Sequence, residues 1–138
     1  MRKRQFCEEQ KRIVYTVGKT TYCKLDCDVD LCPEDDRNIP DSLMMNITRK
    51  YKVLKHLFGS VFTVHIEAKA TCQDGDTFDE KKGKTIAYSK AQHKLYDLMR
   101  RVFGDMEYFY LRQMEDNRDI FAMFQKYWLR ESKFLQQL

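Results

Sequence analysis

Between Val61 and Cys72 the chain alternates without interruption. Phe62, Val64, Ile66, Ala68, Ala70 and Cys72 fall on one side, and Thr63, His65, Glu67, Lys69 and Thr71 on the other. The stretch "TTYCKLDCDVDLC" repeats the pattern, with Cys23, Leu25, Cys27, Val29 and Leu31 set against Lys24, Asp26, Asp28 and Asp30. Successive side chains of an extended chain point to opposite faces, so each run predicts a strand with one dry face and one wet face. Ile13, Tyr15 and Val17 predict a further strand, and "VGKT" supplies the turn between them, with Gly18 free to take positive φ. A sheet that is dry on one face must be covered on that face.

Helical periodicity provides the cover. A polar break, "PEDDRNIPD", holds both prolines. After it Leu43, Ile47, Tyr51, Leu54 and Phe58 recur at steps of three and four. They read as an amphipathic helix, or a helix running into irregular chain, with Asp41 or Ser42 as its cap and Gly59 as its stop. From Lys84 onward the pattern is helical to the end, and Ile86, Ala87, Ala91, Leu95, Leu98, Met99 and Val102 share one face. The expected fold class is α+β: a small antiparallel sheet of about three strands, packed with helices and followed by a helical C-terminal third. The whole of 1–138 reads as a single domain, with sheet and helices in 1–103 and a helical extension in 104–138.

Composition bounds the setting. Hydrophobic residues make up 43% and charged residues 33%, which excludes a disordered chain. The apolar runs are too short for a transmembrane helix, and "MRKRQFCEEQ" lacks the apolar stretch of a secretory signal. A cytoplasmic protein that does not bind membrane is expected. The net charge of +4, from 25 basic against 21 acidic residues, is well below that of a dedicated DNA-wrapping protein. Five cysteines make a complete disulfide framework an unsuitable reading for a cytoplasmic chain. Cys23, Cys27 and Cys32 lack the close C-x2-C spacing of structural zinc sites, and His65 falls on the opposite strand face from Cys72. Cys23 and Cys27 therefore read as core residues, and neither a metal nor a cofactor is expected.

The segment "QDGDTFDEKKGK" concentrates Asp74, Asp76, Asp79 and Glu80. Asp74-Gly75 is a turn dipeptide, and Thr77 with Glu80 has the spacing of a capping box. Acids there sit at the positive end of a helix dipole. A calcium loop starting at Asp74 would need glycine where Asp79 stands, and a magnesium site would need carboxylates from separate elements. The cluster reads as a helix start.

The longer run "ATCQDGDTFDEKKGKTIAYSKA" resembles a signature of small bacteriophage and prophage proteins, A-x-C-x3-D-T-F-D-x3-G-x3-A-x2-[RK]-A. Asp76, Thr77, Phe78, Asp79, Gly83, Ala87, Lys90 and Ala91 are the matching positions, and the run covers about a sixth of the chain. The resemblance implies a short α+β chain from a mobile element and implies no activity. A second similarity is to the C-terminal half of double-stranded RNA-binding domains, where a strand leads to a helix whose lysines touch phosphates. In that reading Lys81, Lys82, Lys84, Lys90, Lys94 and Arg101 would contact nucleic acid, with Arg49, Lys50, Lys52 and Lys55 as a second patch. The alternative reading is a solvated helix face.

The C-terminal third is rich in aromatics. Phe121, Phe124, Trp128 and Leu135 line one helical stripe, and Ile120, Tyr127, Phe134 and Leu138 a neighbouring one. That arc is wider than one core-facing stripe needs, so it is either a partner surface or a doubly buried helix. Phe121, Phe124, Tyr127 and Trp128 are the candidate partner-binding residues, and self-association is the simplest version. No Gly-rich phosphate loop, G-x-S-x-G or H-E-x-x-H occurs, and no catalytic residue is expected. The expected function is a phage or mobile-element protein that acts without catalysis on a host protein, a host-defence factor being one class. Nucleic-acid binding and a virion structural or assembly role are the alternatives.

Overall fold

The computed structural model describes residues 6–32, 39–73, 75 and 77–137. The element order is β1 (Cys7–Val17), β2 (Thr20–Asp30), α1 (Asp41–Lys50), β3 (Leu54–Phe58), β4 (Val61–Thr71) and α2 (Glu80–Gln136). The chain divides into two compact units, Met1–Phe103 and Gly104–Leu138, and α2 contributes to both.

The class is α+β. The antiparallel sheet has four strands in the order β1-β2-β4-β3, where alternation alone predicted about three. The additional strand is β3, within the stretch whose spacing reads as helix. Leu54 and Phe58 satisfy a four-residue step, yet the helix ends at Lys50, and the Tyr51 amide closes it on the Ile47 carbonyl at 2.9 Å. What decides is the hairpin: Gly59, at φ 53°, turns the chain so that Leu54–Phe58 pairs with Val61–Val64. Gly18, at φ 60°, does the same between β1 and β2. Both glycines open two-residue loops, where positive φ at the first position matches the twist of the flanking strands.

One face of the sheet is dry. Cys23, Leu25, Cys27 and Val29 of β2 lie beside Phe62, Val64, Ile66 and Ala68 of β4, all buried. Leu43 and Ile47 of α1 join this core, as do Ala87, Ala91, Leu95 and Val102 of α2. On α2 these continue a row that starts at Gly83, and a Cβ added there would lie 2.7 Å from the Thr21 hydroxyl. Thr21 is itself wholly buried and shares a hydrogen bond of 3.1 Å with Thr16. The small residues of the motif thus sit where helix and sheet meet most closely.

Two expected caps are corrected. Pro40 precedes α1 with no side-chain cap, and Asp41 is the helix's first residue. At α2 the cap is Asp79, whose carboxylate accepts the Lys82 amide at 3.2 Å, a single side-chain cap in place of the expected Thr77–Glu80 box. Asp74 and Asp76 lie outside the described residues, as does most of the polar break before α1. No helix among the described residues is long and apolar enough to cross a membrane.

Candidate functional site

The lysine face of α2 is built largely into the fold. Lys94 Nζ donates to the Glu67 carbonyl at 2.7 Å, and Lys90 Nζ to the Lys69 carbonyl at 3.4 Å. These carbonyls lie on β4 beyond the reach of β3, whose pairing stops at Val64. The two lysines therefore cover backbone acceptors on an otherwise open edge, a common protection for edge strands. Lys84 pairs with Glu80 one turn earlier at 3.3 Å, and Arg101 with Asp97 at 2.7 Å. Lys81 and Lys82 are exposed at the start of the helix. In the second patch, Lys50 lies 5.4 Å from the Tyr51 ring centroid. Of the residues proposed to meet phosphate, Lys84, Lys90, Lys94 and Arg101 thus each have a partner within the fold.

Two polar clusters were not apparent from the sequence. Arg12 holds Glu9 in a two-pronged ion pair at 2.6 and 2.9 Å, donates to the Tyr88 hydroxyl at 2.7 Å and stacks 3.7 Å over its ring. Tyr88 donates in turn to Glu9 at 3.0 Å. The clasp ties the bulged start of β1 to α2. Hydrogen bonds from Arg12 and Tyr88 hold the Glu9 carboxyl below its ordinary range.

The second cluster lies on the wet sheet face. His65 sits between two carboxylates, Nε2 at 2.8 Å from Glu67 and Nδ1 at 2.6 Å from Asp26. Asp26 and His65 are cross-strand partners on β2 and β4. Hydrogen bonding to Glu67, then to Asp26, raises the imidazole above its ordinary value, and His65 in return lowers Glu67. The carboxylates engage opposite ring nitrogens, so they flank the ring and do not converge on a common point. Among the described residues no group of three or more His, Cys, Asp or Glu is placed to hold a metal ion. Outward alternation is the sequence signal for His65, but its partner follows only from the strand order.

Cys23 and Cys27 lie in the core as their alternation predicts. Burial pushes the Cys27 thiol up to about 12 and raises Cys7 and Cys23, so none of these is an activated nucleophile.

The C-terminal aromatics present a different picture. From Tyr110 to Gln136 every residue of α2 except Ser132 is exposed. Phe121 is 65% exposed, Phe124 60%, Tyr127 41% and Trp128 66%. Among the described residues of this unit the ring pairs join near neighbours, as in the edge-on pair Phe124–Tyr127 at 6.3 Å. Arg112 and Arg130 lie 6.0 and 5.1 Å from the Tyr108 and Tyr127 rings. Within its own unit this face has no cover. In comparison with known proteins, no family model, no curated protein and no solved structure matches this chain.

Proposed function

We propose that this chain is a non-enzymatic protein-binding module, and that the aromatic face within Gly104–Gln137 is its docking element. One observation carries this reading: a long helical segment in which Phe121, Phe124, Trp128 and Phe134 are each more than half exposed. Such a surface is energetically costly in water, and rigid aromatics dominate the energetics of protein interfaces. The wider setting rests on the motif of residues 70–91, which points to a phage or mobile-element protein meeting a protein of its host, such as a defence factor. Engagement of Lys84, Lys90, Lys94 and Arg101 within the fold weighs against the nucleic-acid reading. That reading requires binding that falls steeply with salt.

The test is capture on immobilised protein, from host lysate and from a tagged copy of the chain itself. Trp128→Ala and Phe124→Ala are expected to lower capture at least about tenfold while circular dichroism shows the sheet unit intact. Unchanged capture by both folded variants would overturn the docking element.

A further inference from the structure

The exposed face repeats every seven residues. Met114, Phe121, Trp128 and Leu135 are spaced by seven, at 53, 65, 66 and 65% exposure. Ile120, Tyr127 and Phe134 form a parallel row one residue earlier, and Tyr110 and Phe124 lie in a third row that also contains Asn117 and Glu131. A seven-residue apolar repeat matches another helix winding around the first, because 3.5 residues per turn keeps the seam facing its partner. The occupant this seam fits is therefore a helix. Aromatic and β-branched residues are middling helix formers, so a fully exposed stretch of them draws its order from packing against a partner.

Charge selects which helix. From Gly104 to Asp119 there are five acids (Asp105, Glu107, Glu115, Asp116, Asp119) against Arg112 and Arg118, a net of −3. From Ile120 to Gln137 there are Lys126, Arg130 and Lys133 against Glu131, a net of +2. The segment is thus complementary to itself when reversed, and repels itself when aligned. A parallel pair would also set Glu131 against its own copy within the seam. Pairing the first row of one helix with the third row of the other antiparallel helix, centred between Ala122 and Met123, avoids this. It stacks Phe121 on Phe124 of the second copy twice over, places Glu131 opposite Met114, and lays the acidic half of each helix along the basic half of the other.

Size agrees. Each aromatic side chain brings about 150–250 Å² when fully covered. At these exposures the seam offers on the order of 800 Å² per copy, the size of a standard stable interface.

We propose that the docking face is covered by a second copy of this chain, the two 104–137 helices pairing antiparallel. The proposal rests on the reading of that helix as a docking element and names its occupant. Sedimentation equilibrium of the full chain from low micromolar to about 100 μM should show a monomer–dimer equilibrium. Phe121→Ala/Trp128→Ala should weaken it by about thirtyfold or more. Raising the salt from about 20 mM to about 500 mM should weaken it about three- to tenfold, because unlike halves face each other in an antiparallel pair and like halves in a parallel one. A monomer at every concentration, a dimer indifferent to the aromatic changes, or a dimer that tightens with added salt would each overturn the proposal. A monomer whose capture of lysate protein still depends on Trp128 removes the second copy and leaves the docking helix standing. Capture and dimer both indifferent to Trp128 remove both.

Discussion

Gly83 has a role that its residue type alone does not disclose. It lies in the first turn of a helix, where alanine is normally the better helix former by about 1 kcal/mol. Here an added methyl would meet the Thr21 hydroxyl at 2.7 Å, and Thr21, with no exposed surface, has nowhere to retreat. Gly83→Ala is therefore expected to destabilise the sheet unit by about 1–3 kcal/mol in denaturant titration. Thr21→Ala in the same chain should recover part of that loss, since only the Cβ contact at 3.5 Å would remain. His65 makes a second case, with a sign that follows from its partners. Its folded value lies above the ordinary 6.5, so its contribution is complete below 6.5 and fades as pH rises through the raised value. Glu67 is lowered from 4.5, so its share is present above 4.5 and is lost as pH falls through the lowered value. The cluster thus contributes most between about 4.5 and 6.5. Thermal unfolding across pH 5–9 should lose part of its decline above neutrality in His65→Gln, by no more than about 1 kcal/mol for so exposed a group.

At the scale of elements, β2 and β4 were fully legible, because a buried face imposes a period of two on every inward position. Capping was less legible: an acid or hydroxyl near a helix start is common, and which one caps depends on where the helix begins. With α2 starting at Glu80, Asp79 and not Thr77 is in place to accept an amide. Strand β3 was hidden because Leu54 is its only buried residue, and one residue has no periodicity. Helix α2 shows two regimes along one sequence. Its first part is buried along the row Ala87, Ala91 and Leu95, while from Tyr110 onward it is solvated throughout. Hydrogen exchange should follow this division. Amides of residues 84–102 should exchange at rates set by global unfolding, whereas those of 110–137 should exchange faster in dilute solution and slow as protein concentration rises. Exchange in 110–137 that is independent of concentration would contradict a helix ordered by association.

For the whole molecule, the core is also a chemical shield. Cys23 and Cys27, at 0 and 2% exposure with burial raising both thiols, should react with a thiol reagent on the order of a thousandfold more slowly than Cys32 or Cys72 in the native state. All should react alike once denaturant unfolds the sheet. The sequence by itself determined the dry and wet faces of β2 and β4, the turn at Gly18, the core cysteines and the width of the C-terminal apolar arc, whereas in β1 the apolar Ile13, Tyr15 and Val17 lie exposed on the wet face opposite Lys24 and Tyr22. These follow from local geometry, since side-chain direction and turn conformation are set within a few residues. The tertiary structure alone decided the strand order that brings His65 to Asp26, the lysines that cover the β4 edge, and the contact that requires glycine at position 83. Each joins residues distant in sequence, whose proximity no local period encodes. It also decided that the aromatic arc is left uncovered within its own unit, because an amphipathic helix carries the same pattern whether or not anything packs on it.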